Sequence, residues 1–183
     1  LYKKHPEFVM PTNKLKEIIM KTPTLKTAYV GGPIAGLSGQ RKLDVIQFYD
    51  DIAYLCAIHN IDAFVPLRKT NVDPHLLRLL KKYNNDRNHP RTATFISKSD
   101  KTAIRKSDLV IMFATDISSG AGIEQEYARV CEVPLILMYQ GGKAASSMVV
   151  GNNNRPIAII NFSTFEDGIK KLDAALTKHR HKF

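Results

Sequence analysis

From residue 27 the chain alternates short apolar runs with amphipathic stretches, the βαβ rhythm of a parallel sheet covered by helices. The predicted strands are TAYVGG at 27–32, DAFVPL at 62–67, DLVIMFAT at 108–115, PLILMYQ at 134–140 and PIAIINF at 156–162. Their interiors are apolar on both faces, as central parallel strands require. Between them, QRKLDVIQFYDDIAYLCAIHN sets Leu43, Ile46, Tyr49 or Asp50, Ala53 and Ala57 at helical intervals, and IEQEYARVCE at 123–132 predicts a second helix. The last helix carries its own start signal. Ser163 and Glu166 form an S-x-x-E capping box, and Phe165, Ile169, Leu172 and Leu176 then make one apolar stripe.

The rhythm breaks between Arg68 and Lys98. One short helical pattern, PHLLRLLKKY, precedes the polar NNDRNHPRT, so the segment reads as an insertion after the second strand: a lid over the carboxyl ends of the strands, or an ordinary variable loop. Residues 1–24 read as an N-terminal extension with one helix around NKLKEIIMK. The expectation is a single α/β domain over 25–183, with the insertion at about 68–98. Its core is an open, doubly wound, mostly parallel five-stranded sheet with helices on both faces, Rossmann or flavodoxin-like.

Composition narrows the class without naming a function. Of 183 residues, 44% are apolar and 24% charged, and no apolar run reaches the roughly 18 to 20 residues of a membrane span. The N-terminus shows no apolar signal core, and Cys56 and Cys131 lie in helical patterns rather than in a CxxC or Cys/His cluster. A cytoplasmic protein without metal, cofactor or membrane association is expected. The net charge of +10 fits a phosphorylated small molecule, but no RNA-binding signature accompanies it, so nucleic acid is not expected as a partner.

Two loops after strands hold glycines that would let a ligand approach the backbone. GGPIAGLSG at 31–39 lacks both GxGxxG and GxxxxGK[ST], which removes the dinucleotide and P-loop readings. SSGAGIE at 118–124, at the start of a helix, offers hydroxyls and backbone N–H groups to a phosphate or to sugar oxygens. Glu124 is placed in the first turn, where the helix dipole alone favours a carboxylate. It is also at the end of a central strand, where a nucleophile would reach a bound sugar. Glu126 points to another face, solvated or paired with Arg129.

GAGIEQEYA at 120–128 resembles the G-x-G-x-E-x-G-x-A signature of the nucleoside 2-deoxyribosyltransferase superfamily. YVGGPIAG resembles that superfamily's first loop, and Asp100 and Asp108, in SDKTAIRKSDLVI, match its intermediate pair of aspartates. The three motifs fall in order over residues 27–162. The resemblance implies cleavage of an N-glycosidic bond, with Glu124 as nucleophile and Asp100 donating a proton or hydrogen bond to the base. A capping role is the alternative for Asp100. Asp108 is expected to be structural, and Tyr29 to touch the glutamate or simply to fill the core. The loop residues Gly32, Pro33, Ile34 and Gly36, together with Gly120 and Gly122, would hold sugar and phosphate.

Ser118 bears on the substrate. Transferases acting on free nucleosides carry a carboxylate six residues before the nucleophile, whereas the 5'-monophosphate N-glycosidases carry serine, which donates to a phosphate instead of repelling it. SSMVVG at 146–151 resembles the stretch through which those hydrolases reach a neighbouring subunit's phosphate, implying a role for Ser146 and a homodimer or higher homo-oligomer. The sequence departs from the hydrolases at Ala35, where they place an arginine, so Arg41, Arg68 or Lys69 would have to replace it. The reading is thus an N-glycosidase of a nucleoside 5'-monophosphate, working through a glycosyl-Glu intermediate. The alternatives are a base-exchanging deoxyribosyltransferase or a non-catalytic nucleotide-binding module.

Overall fold

The computed structural model describes residues 25–70, 72–142 and 156–183. Five parallel strands form one sheet: β1 (Lys26–Gly31), β2 (Ile61–Phe64), β3 (Leu109–Phe113), β4 (Leu135–Gln140) and β5 (Ala158–Phe162), in the order β2-β1-β3-β4-β5. Among the described residues six α-helices connect or follow them: α1 (Gly39–Ile58), α2 (Pro66–Thr70), α3 (Pro74–Lys82), α4 (Pro90–Lys106), α5 (Ser119–Val130) and α6 (Phe165–His179). The chain steps from β1 outward to β2, then returns to lay β3 on the other side of β1. That reversal opens a crevice at the carboxyl ends of β1 and β3, where doubly wound sheets bind ligands.

The two-residue strand period divides the core. Ala28 and Val30 of β1 and Ile111 and Phe113 of β3 face α1 and α6, while Tyr29, Val110 and Met112 face Ile104 of α4 and Ala121 and Ala128 of α5. On the first face Phe48, Phe113, Phe162 and Phe165 form an aromatic cluster with ring centroids 4.6 to 6.2 Å apart. Each such pair contributes about 0.5 to 1.5 kcal/mol beyond area burial. At the amino ends of the strands, the Asp108 carboxylate accepts from Thr27 N–H at 2.8 Å and from the Thr27 hydroxyl at 3.0 Å. Burial raises this acid, but those bonds and Lys26 outweigh it and hold it below its usual range. Asp108 therefore ties β1 to the entry of β3, far from the crevice.

Several sequence expectations shift by a few residues. The buried face of α1 runs through Val45, Phe48, Tyr49, Ile52, Leu55 and Cys56, whereas Leu43 and Ala57 are exposed. The α6 cap is Thr164, which accepts from Asp167 N–H at 3.2 Å, while Asp167 accepts from Ser163 N–H at 3.0 Å. The Ser163–Glu166 box is thus displaced by one residue. Strands β2 and β5 lie at the sheet edges, so Asp62, Ile159 and Asn161 are exposed rather than apolar and buried. The polar stretch before Lys98 stays in turns from Asn84 to His89, and α4 starts at Pro90, helped by the His89 ring, which accepts from Arg91 N–H. The helix proposed around NKLKEIIMK lies outside the described residues.

Candidate active site

Three buried polar groups meet on the α4/α5 side of the sheet. Tyr29 comes from β1, Asp100 from the inward face of α4 and Glu124 from α5. Asp100 Oδ1, Glu124 Oε2 and Tyr29 Oη are each buried without a hydrogen-bond partner among the described residues. The Tyr29 hydroxyl and the Glu124 carboxyl interact electrostatically. Buried polar atoms are ordinarily paired, so three unpaired ones in mutual electrostatic range mark this cluster as the candidate site.

Burial pushes Glu124 up to about 7, with repulsion from Asp100 adding and the Tyr29 hydroxyl opposing. Burial alone pushes Asp100 up to about 6. Near neutrality the two acids therefore exchange one proton between them, the arrangement that separates an acid from a base in one site. The Tyr29 and Tyr49 hydroxyls are driven above the usual phenol range, first by burial and then by the Glu124 charge, so both remain protonated donors.

The backbone around the trio is shaped by two glycines. A β-carbon on Gly31 would lie 2.7 Å from the Tyr29 ring and 2.9 Å from Glu124 Oε2. One on Gly32, whose φ is +147°, would lie 2.4 Å from both the Phe113 carbonyl and the Tyr49 hydroxyl. The first loop can therefore leave β1 only with no side chain at these positions. Tyr49 Oη donates to the Pro33 carbonyl at 3.3 Å and holds the loop over the crevice. Pro33 is buried, Ile34 packs on the first core cluster, and Ala35 and Gly36 are exposed.

Helix α5 begins four residues earlier than its predicted strand-to-helix boundary. Ser118 is its N-cap, with Oγ accepting from Ala121 N–H at 3.2 Å, and Glu124 is the sixth helical residue. Glu124 thus stands in the second turn, beyond the reach of a dipole argument. Gly120 and Gly122 lie inside the helix: a β-carbon on Gly120 would meet only Ser118 Oγ at 3.7 Å, and one on Gly122 nothing within 4 Å. Each glycine costs the helix about 0.5 to 1 kcal/mol relative to alanine, and packing gives no reason for it. Glu126 is bound on both oxygens by Arg129 and faces away. Asp100 lies in the middle of α4, which removes the capping alternative.

Two of the three cations expected to replace the loop arginine, Arg41 and Arg68, are engaged elsewhere. Arg41 donates to Asp116 at 2.9 Å and to Gln140 at 2.7 Å, lying over the Phe113 and Phe165 rings, and Arg68 pairs with Asp50. Ser146 lies outside the described residues. Sequence reasoning missed Gly31 and Tyr49. The doubled glycine was the available signal for the first; Tyr49, read as one more apolar helix position, gave none. Among the described residues no group of three or more His, Cys, Asp or Glu is placed to hold a metal ion, and no helix is long and apolar enough to cross a membrane.

No family model matches the chain, and no curated protein matches it in sequence. Solved structures do share its fold. A CMP N-glycosidase from Clostridium botulinum, BcmB, superposes with a TM-score of 0.54 at 16% identity, covering 81% of this chain and 99% of its own. A 2-deoxyribosyltransferase from the psychrotolerant Bacillus psychrosaccharolyticus gives 0.54 at 14% identity, covering 77% and 88%. A conserved protein from Enterococcus faecalis gives 0.50 at 17% identity, covering 81% and 99%. At such identities the likeness is one of fold, and it is the fold that the loop and glutamate motifs implied.

Proposed function

We propose that the protein is an N-glycosidase that hydrolyses the base–sugar bond of a nucleoside 5'-monophosphate, with Glu124 as nucleophile and Asp100 as general acid and base. The observation that carries this reading is the pair of buried, unpartnered carboxyls at the strand-order reversal, with raised and unequal proton affinities. The fold shared with a nucleotide N-glycosidase and a deoxyribosyltransferase supports it.

The single proton rests mainly on Glu124, whose affinity for it is the higher, and the productive state is the minor form in which it has moved to Asp100 and Glu124 is ionised. The Glu124 carboxylate attacks the anomeric carbon as the bond to the base nitrogen breaks. The bonding pair leaves with the base, which takes the Asp100 proton. A glycosyl ester on Glu124 remains. Asp100, now a carboxylate, takes a proton from water as the water oxygen attacks the same carbon, releasing the sugar phosphate and restoring Glu124. Positive charge building on the sugar ring in both steps is stabilised by the carboxylate beneath it, and the apolar surroundings strengthen that attraction. The Tyr29 hydroxyl orients Glu124 and, as a donor, favours its charged form. Gly120 and Gly122 leave the first turns of α5 bare for sugar and phosphate oxygens, with Ser118 and the Gly32–Gly36 loop completing the enclosure. A homodimer would bring Ser146 to the neighbouring site.

The test is release of free base from a panel of nucleoside monophosphates and nucleosides, followed by chromatography. Wild type releases base, and Glu124→Ala slows release at least about 1,000-fold, as expected on losing a covalent catalyst. Base release by Glu124→Ala at the wild-type rate overturns the mechanism. A second base in the same assay separates hydrolysis from exchange: new nucleoside or nucleotide in place of free sugar phosphate assigns the protein to the transferases.

A further inference from the structure

The outer face of α4 carries a stripe of cations with no counter-charge. Residues 73 to 106 hold nine lysines and arginines against three aspartates, net +6 of the chain's +10. At about 100° per residue, Arg91, Lys98, Lys101 and Arg105 fall within an arc of about 80° and span about 21 Å of helix. Asp100, the acid of this helix, projects from the opposite side into the active site. Among the described residues none of the four cations forms a salt bridge. The nearest carboxylate on α5, Glu126, is already bound by Arg129.

The stripe borders a groove of about 560 Å³ between α4 and α5, whose polar lining includes Thr94, Ser97, Lys98, Lys101, Thr102 and Arg105. The lining holds no carboxylate, and its apolar members are Ala93 and Tyr127, the latter with Lys101 at 5.5 Å over its ring. Like charges three and four residues apart on a helix repel, so the stripe raises the energy of the free protein. A polyanion laid along it removes that repulsion. Cations interleaved with hydroxyls are the donor set that contacts a phosphodiester backbone. Exposed Ile123 and Val130 of α5 share a groove with Lys101 alone of the stripe; along Lys98, Lys101 and Arg105 the α4/α5 groove offers cations and hydroxyls rather than the apolar anchors of a protein partner or the apolar edge of a membrane-binding helix. A second copy of the chain is disfavoured by its own positive charge.

We propose that the α4 stripe is a binding surface for nucleic acid, held through its phosphodiester backbone with little regard to sequence. The proposal is independent of the enzymatic reading. The expectation against nucleic acid rested on the lack of an RNA-binding signature in the sequence; the helix gathers four cations onto one line without one.

The test is fluorescence anisotropy of a labelled 12-nucleotide oligothymidylate between 50 and 200 mM salt. Four phosphate contacts give a slope of log affinity against log salt of about −3 for a single strand. The triple variant K98E/K101E/R105E should flatten that slope by about 2 and weaken binding at 50 mM salt at least about tenfold. The milder K98A/K101A/R105A should weaken it in the same direction. The triple K178E/R180E/K182E changes net charge equally at another surface and should retain affinity within about threefold on the same electrostatic argument. Unchanged thermal melting of each variant secures the comparison. Absence of saturable binding by wild type, an equal loss in the C-terminal variant, or binding to anionic vesicles without binding to the oligonucleotide overturns the proposal.

Discussion

Gly31 stands directly against Glu124: a β-carbon at residue 31 would lie 2.9 Å from Oε2 of the carboxylate. It would also lie 2.7 Å from the Tyr29 ring. That ring has little freedom, since it is fully buried and stacked on Phe64 with centroids 5.9 Å apart. The glutamate must therefore be the group that moves. Gly31→Ala should lower stability by about 1 to 3 kcal/mol, the usual cost of overpacking. It should also reduce base release at least about tenfold, because a displacement near 1 Å is enough to spoil attack geometry. Chemical denaturation and the base-release assay read the two effects separately.

Burial of Glu124 has a consequence for stability that is independent of its chemistry. Its affinity for a proton rises from about 4.5 in the unfolded chain to about 7 in the folded one, so the native state binds the proton more tightly. Stability is fully present below about 4.5 and is lost as pH rises toward 7. At about 1.4 kcal/mol per pKa unit the loss is on the order of 3 kcal/mol by pH 8. Glu124→Gln removes the ionisation while keeping the shape. It should melt well above wild type at pH 8 and close to it at pH 4, and an equal shift at both values would show that burial is not the cause.

The Asp100–Glu124 pair also sets the pH dependence of the reaction. The productive form carries one proton between two acids titrating near 6 and 7, so kcat/KM should trace a narrow bell with its maximum between those limbs. Asp100→Asn removes the charge that raises Glu124. The acid limb should then move to lower pH, because a lower pH is needed before Glu124 holds its proton. The alkaline limb should disappear with the proton donor, and the maximal rate should fall about 100-fold or more. An acid limb unmoved by this substitution would separate Asp100 from Glu124.

Much of this was legible in the sequence. Strand runs such as DLVIMFAT are apolar on both faces, and the β3 core they predict is fully buried. The carboxyl-end loop and the glutamate motif were legible because glycine and acid stand out against such runs. What the sequence hid was helical phase. SSGAGIE reads as a loop because two glycines and two serines disfavour helix locally, yet capping by Ser118 and burial of Ala121 and Ala128 against the sheet override that preference. Before Lys98 the polar stretch keeps its turns to His89, and α4 starts at Pro90, which places Asp100 on its inward face. Tyr49 was illegible for another reason: only the fold shows that its hydroxyl meets the Pro33 carbonyl across sixteen residues.

Ser118 separates capping from substrate recognition. Its Oγ accepts from Ala121 N–H, leaving the hydroxyl hydrogen free to donate to a phosphate. Ser118→Ala removes both functions and should cost about 1 kcal/mol of stability. Ser118→Asp replaces one good N-cap acceptor with another, so stability should return to within about 0.5 kcal/mol of wild type. The new carboxylate can no longer donate, and it repels a phosphate dianion while still accepting from a sugar hydroxyl. Cleavage of a 5'-monophosphate should therefore fall at least about tenfold in Ser118→Asp, chiefly through KM, with cleavage of the matching unphosphorylated nucleoside maintained or increased. Parallel losses on both substrates would leave Ser118 as a cap alone, and the preference for nucleotides would have to be carried by another residue.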